Sequence, residues 1–136
     1  PDTIRALPER LRAQQRTFCS TGGIHACALA TADGLIEDVR EDVGRHNAMD
    51  KVIGAALLAD RLPLADRALV TSSRASFELV QKAVLAGVGI LVAVSAPSSL
   101  AVQLAGQAGL TLIGFVSPAG FNIYTGGWRV HGATQR

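Results

Sequence analysis

Only two cysteines, Cys19 and Cys27, occur among the 136 residues. Two thiols make no disulfide framework, and with only His25 close by they form no metal-ligand set of the usual spacing. Free thiols in a reducing compartment are the expectation, with no resident metal. Long apolar runs are missing as well: although 49% of the residues are hydrophobic, no stretch approaches the roughly 20 residues that a membrane span needs. Nothing resembles a signal peptide, so a soluble, cytoplasmic protein without membrane contact is expected. Nor is there a strong excess of one charge. Thirteen Lys and Arg stand against 11 Asp and Glu, a formal +2, and five of the basic residues (Arg5, Arg10, Arg12, Arg16, Arg136) lie in the two ends. That imbalance is too slight to argue for a nucleic-acid partner.

What is present amounts to one domain's worth of chain. The sequence opens on Pro1-Asp2 without an initiator methionine, and "LPERLRAQQR" reads as a short polar helix entering from elsewhere. We expect residues 1–17 to be a helical lead-in, residues 18–136 to be a single α/β domain, and the whole to be a fragment of a longer protein. His25 to Thr31 and Leu35 to Val43 alternate like strands around Ala32-Asp33-Gly34, a tight-turn signal, and predict an antiparallel hairpin. From Arg45 to about Ala59 the apolar positions Met49, Val52, Ile53, Ala56 and Leu57 are spaced as one face of a helix. "ALVTS" (68–72), "ILVAV" (90–94) and "LTLIGFV" (110–116) read as buried strands. "ASFELVQKAVLA" (75–86) and a segment from about Pro97 to Ala108 read as helices stopped by Gly87 and Gly109. The order is hairpin, helix, strand, helix, strand, helix, strand, giving five strands.

This alternation predicts an α/β fold with a mostly parallel sheet covered by helices on both faces. In such sheets ligands bind beyond the carboxyl ends of the strands, where helix N-termini offer free N–H groups. Five polar loops frame the otherwise apolar chain: "STGGIH" (20–25), "DVGRHN" (42–47), "TSSRAS" (71–76), "SAPSS" (95–99) and "SPAGFN" (117–122). Their convergence suggests an anion site, for phosphate. Arg45 and Arg74 are expected in the first turns of two helices, where a cation opposes the dipole, and a bound anion would explain both. Plainer roles exist for each residue. His25 and His46 can be structural histidines, Arg74 can pair with Glu78 one turn on, the glycines can be turn residues, and Ser72, Ser73, Ser95, Ser98 and Ser99 can be helix caps.

The blocks "TGGIHACAL" (21–29), "EDVGRHNAMDK" (41–51), "TSSRASFELVQKA" (71–83), "VSAPSSLAV" (94–102) and "LTLIGFVSPAGFNIYT" (110–125) together resemble, in order and spacing, the formate dehydrogenase accessory sulfurtransferase family, FdhD. The resemblance spans about residues 18 to 125. It implies a three-layer α/β sandwich like that of cytidine deaminases, opening with a hairpin. It also implies a sulfur carrier, which takes sulfur as a persulfide from a cysteine desulfurase. That sulfur passes to a bis(molybdopterin guanine dinucleotide) molybdenum cofactor, bound transiently, before the cofactor enters formate dehydrogenase. GDP would mimic the nucleotide part, and a homodimer is compatible with the resemblance.

Carried over residue by residue, the implied cofactor contacts are Thr21, Gly22, Gly23 and His25; Gly44, Arg45 and His46, with Asp50 and Lys51 one turn on; and Ser72, Ser73, Arg74 and Ser76, with Ser95. To these the resemblance adds the stretch just after the last strand, Phe115, Val116, Ser117, Pro118, Ala119 and Gly120. That stretch holds no Lys or Arg, unlike relatives with basic residues there, so its backbone N–H groups would have to serve. The family's Cys-Gly-x-Cys-Gly loop has no counterpart here, and neither thiol matches it: Cys19 lies closer to the expected pocket, and Cys27, within a predicted strand, reads as a small core residue. No catalytic residue is therefore assigned to this chain, which by itself should bind but not transfer. Two rival functions are a noncatalytic nucleotide-binding regulatory module and a zinc deaminase. The second requires a Glu two residues after the first ligand and a Pro-Cys-x-x-Cys at the next helix, where this chain has Ala48 and Arg74-Ala75-Ser76-Phe77.

Overall fold

Strict alternation along the first strand divides the molecule into its layers. In a computed structural model of the chain, which describes residues 2–13, 25–31, 36–42, 44–58, 67–117 and 120–127, β1 (His25–Ala30) pairs antiparallel with β2 (Ile36–Asp42). Successive side chains on a strand point to opposite faces. Ala26, Ala28 and Ala30 therefore enter one apolar cluster, while Cys27 and Leu29 enter another. The same division continues across β3 (Ala68–Thr71), β4 (Ile90–Ala93) and β5 (Thr111–Ser117). Val70, Val92 and Ile113 join the alanine face, and Leu69, Leu91 and Leu112 join the other.

The leucine face is covered by α2 (Arg45–Leu58), α3 (Phe77–Leu85) and α4 (Ser99–Ala108), which contribute Met49, Val52, Leu79, Val80, Ala101 and Ala105. These helices share one face because right-handed crossovers that step repeatedly in one direction keep their helices on one side. The alanine face receives α1 (Asp2–Ala13), whose Leu7 and Leu11, one turn apart, are buried against it. Three alanines in a row on β1 leave room for that helix. The result is the expected three-layer α/β sandwich.

The sheet differs from the expected mostly parallel, five-stranded one in two respects, the number of its strands and the share of parallel pairs. Its order is β2-β1-β3-β4-β5-β6, with β6 (Gly120–Thr125) as a sixth strand. Only β3·β4 and β4·β5 are parallel; β1·β2, β1·β3 and β5·β6 are antiparallel. Ser117 pairs with Gly120, so both ends of "SPAG" belong to the sheet. Ile123 is buried on the α1 side, which holds β6 in place.

Two helices also start later than periodicity predicts. Ala75 and Pro97 form a parallel bridge, with the Ser98 N–H donating to the Ala75 carbonyl at 3.0 Å. That bridge extends the β3–β4 pairing past the strand ends. Ser76 and Ser98 then act as N-caps, accepting from the N–H of Leu79 (3.3 Å) and Ala101 (3.1 Å). The α4 end is closed by Gly109 in a left-handed conformation, φ 74°, which glycine adopts without a Cβ penalty.

Candidate functional site

Antiparallel pairing brings the start of β1 beside the ends of the parallel strands. Cys27 stands opposite Thr71, and just beyond that pair the Ser72 side-chain oxygen accepts from the Ala26 N–H (2.9 Å) while the Ser72 N–H donates to the Ala26 carbonyl (3.0 Å). The Val94 N–H donates to the Thr71 carbonyl (3.2 Å) and the Phe115 N–H to the Ser95 carbonyl (3.3 Å). His25, Ser72, Arg74, Ser95 and Phe115 thus occupy a single edge of the sheet. His25 pairs in register with Asp42 of β2, and Gly44, Arg45 and His46 follow at the mouth of α2.

Among the described residues, the ring of His25, the hydroxyl of Ser95 and the guanidinium of exposed Arg74 have no hydrogen-bond or ion-pair partner. The Arg74–Glu78 pair that would have given Arg74 a plain structural role is not formed. Because the Ala75–Pro97 bridge delays α3, Arg74 stands two residues before the Ser76 cap rather than inside the first helical turn. An unpaired guanidinium near a half-buried histidine and hydroxyl is suited to a phosphate or another planar anion, since Arg offers a fixed fork of donors.

Other candidates have internal roles. Ser73 is buried, its hydroxyl 2.9 Å from the Thr71 Oγ1 and donating to the Arg74 carbonyl at 3.3 Å. Ser76 is committed to capping. Val116 is buried in the α1-side cluster, so its side chain packs rather than faces a ligand. Asp50 accepts from the Lys82 Nζ at 2.7 and 2.8 Å, fastening α2 to α3. Lys51 donates to the Glu41 carbonyl (2.8 Å) and pairs with Asp42 at 2.9 Å. Both belong to the framework of α2. Thr21, Gly22, Gly23, Pro118 and Ala119, like Cys19, lie outside the described residues.

Phe115 is the only non-glycine with positive φ, 52°, among the described residues, and it is 52% exposed. It stands where the β5·β6 register shifts. The neighbouring Gly114 makes this geometry possible: a Cβ there would stand 3.0 Å from the Pro97 Cδ and the Tyr124 Cε2, and 3.2 Å from the Ser95 carbonyl.

Two features escaped the reading of motifs. One is Gly114. The other is Asp42, whose carboxylate accepts from the Gly44 N–H at 3.0 Å and the Asn47 side-chain amide at 3.4 Å besides pairing with Lys51. The Gly44 N–H first, and the Lys51 ammonium after it, lower the Asp42 pKa from 3.8 to about 2. The Asp-x-Gly spacing, typical of an Asx-turn, is the signal that marked it. Cys27 is fully buried, and burial pushes its thiol up to about 12. Without a thiolate near neutral pH it cannot serve as a sulfur nucleophile.

A separate cleft of about 260 Å³ opens at the opposite edge, lined by Ala105, Gly106, Gly109, Leu110, Tyr124, Thr125 and Gly126. Its polar atoms are largely engaged: the Thr125 hydroxyl donates to the Leu110 carbonyl (2.7 Å), and the Gly126 carbonyl accepts from Thr111 (2.7 Å). It has no charged lining residue, unlike the first edge, where Arg74 stands.

Comparison with known proteins agrees with this geometry. The model of the FdhD/NarQ family matches residues 1–131. The chain is 58% identical over 130 residues to the sulfur carrier protein FdhD of Streptomyces avermitilis, covering 96% of this chain and 46% of that protein. It is 48% identical over 124 residues to the FdhD of Sulfurisphaera tokodaii, covering 91% and 49%. The chain thus spans about half the length of these relatives. A crystal structure from Desulfotalea psychrophila, assigned as a formate dehydrogenase accessory protein, superimposes with a TM-score of 0.86 at 31% identity, covering 95% of this chain and 57% of that one. A guanine deaminase from Nitrosomonas europaea, at 16% identity and a TM-score of 0.62 over 86% of this chain and 77% of its own, shares the fold alone. The signature blocks, the sandwich they build and the match along nearly the whole sequence establish that the chain belongs to the FdhD/NarQ family.

Proposed function

We propose that this chain is the cofactor-binding part of a sulfur carrier that serves formate dehydrogenase. The cargo is a bis(molybdopterin guanine dinucleotide) molybdenum cofactor, whose guanine nucleotide and pyrophosphate groups are held at the carboxyl edge of the sheet. The supporting observation is the convergence there of Arg74, His25 and Ser95, whose side chains have no hydrogen-bond or ion-pair partner among the described residues. Arg74 supplies the charge for a phosphate, Ser95 and His25 supply further hydrogen bonds, and exposed Phe115 offers a flat apolar surface at the rim.

Sulfur reaches the cofactor from a cysteine desulfurase through a persulfide thiol on a Cys-Gly-x-Cys-Gly loop, a motif that neither Cys19 nor Cys27 matches, and Cys27 is fully buried besides. The cycle belongs to the cytoplasm, and a second copy of the chain is a compatible partner. Calorimetric titration of GDP tests the binding half of the proposal. The unaltered chain should bind, and Arg74→Ala should bind about tenfold more weakly, the loss of one charge-assisted contact. Its melting temperature should stay unchanged, because Arg74 is exposed. Equal affinities for the two proteins, or no binding by either, would sink it.

A further inference from the structure

One carboxylate that the motif reading leaves without a role ties the end of β2 to the first two turns of α2. Asp42 Oδ1 holds the Gly44 N–H (3.0 Å) and the Asn47 amide (3.4 Å), while its Oδ2 faces the Lys51 Nζ at 2.9 Å. Lys51 in turn donates to the carbonyl of Glu41 at 2.8 Å. The Gly44 carbonyl then accepts from the Ala48 N–H at 3.1 Å, starting the helix. The groups involved come from the strand end, the turn and both opening turns of the helix, and across the strand pair Asp42 stands opposite His25.

We propose that Asp42 is the positioning residue of the site, holding Gly44 and the first residues of α2 in the orientation that receives the ligand's phosphate. This rests on the nucleotide reading above. An anionic side chain beside an anion site would repel the ligand, and here Lys51 stands as its counter-ion. Lys51 therefore acts on the ligand through Asp42, while Arg74 offers direct cationic contact. What matters in Asp42 is the reach of its side-chain oxygen to the Gly44 N–H, more than its charge.

Two substitutions separate reach from charge. Asp42→Asn keeps the oxygen in place and loses the charge, since asparagine makes the same Asx-turn. Asp42→Glu keeps the charge and moves the oxygen one methylene away. Dissociation constants for GDP and for guanosine would be measured on the 136-residue chain and both variants. The readout is the preference for GDP over guanosine, which general loss of structure would not shift selectively. Asp42→Asn should keep the wild-type preference within about threefold, and Asp42→Glu should reduce it about tenfold, the scale of one lost hydrogen bond. The Gly44 amide proton should move in the NMR spectrum of Asp42→Glu far more than in that of Asp42→Asn. A wild-type preference in Asp42→Glu, or an equal loss in both variants, would overturn the positioning role alone. Absence of GDP binding by the unaltered chain would overturn the nucleotide reading and this role with it.

Discussion

Leu91→Ala should lower the free energy of unfolding by about 2–5 kcal/mol, the range for emptying a packed core site. Leu91 is fully buried on β4 and stands in register between Leu69 of β3 and Leu112 of β5, the three forming a row across the parallel strands. Parallel strands on both sides and helices above leave the cavity little room to collapse, which favours the upper part of that range. Leu100, 61% exposed at the start of α4, is the matched control, and its replacement by alanine should stay within about 0.5 kcal/mol. Urea unfolding of the two variants, compared at equal denaturant slope, measures the difference. A cost below about 1 kcal/mol for Leu91→Ala would contradict the position of the core.

The same chemical change at two glycines should have opposite signs. At Gly114 an added Cβ meets the Pro97 ring, the Tyr124 ring and the Ser95 carbonyl at 3.0 to 3.2 Å. None of these is the free end of a flexible chain, so Gly114→Ala should cost about 1–3 kcal/mol, the usual range for overpacking. Gly54, inside α2, has nothing within 4 Å of its added Cβ. Gly54→Ala should therefore stabilise by about 0.5–1 kcal/mol through helix propensity. Thermal melts of both variants decide the matter, and a stabilising Gly114→Ala would show that β5 and the α4 entrance are not in close contact. Because Gly114 also supports Ser95 and Phe115, that variant should bind GDP more weakly as well.

How much of this was legible in the sequence differs between elements. The first hairpin and the three crossover helices follow from local periodicity, and the shared edge of the polar loops follows from topology. The sixth strand was hidden because Pro118 and Gly120 read as loop residues that end the fifth, and its pairing with β5 is irregular, with register shifts at two places. The late starts of α3 and α4 depend on the Ala75–Pro97 bridge, a contact between segments 22 residues apart that no local pattern encodes. Residue roles within the site were harder still. Asp50 belongs to the polar block, yet its partner Lys82 lies 32 residues away, and only the packed structure shows that it joins two helices. Ser73 and Val116 sit in the expected segments but turn inward. The motifs thus marked the segments of the candidate site, while packing decided which of their side chains have no partner among the described residues.

The residue roles proposed above all depend on an anionic guanine nucleotide binding at the carboxyl edge of the sheet. Titrating GDP into the isotopically labelled chain and following its backbone amide resonances tests this most directly. The account predicts saturable shifts at Gly44, Ser72, Arg74, Ser95 and Phe115, with Gly109, Leu110 and Gly126 at the far edge unmoved. Shifts centred on that far edge, or none at saturating nucleotide, would contradict it.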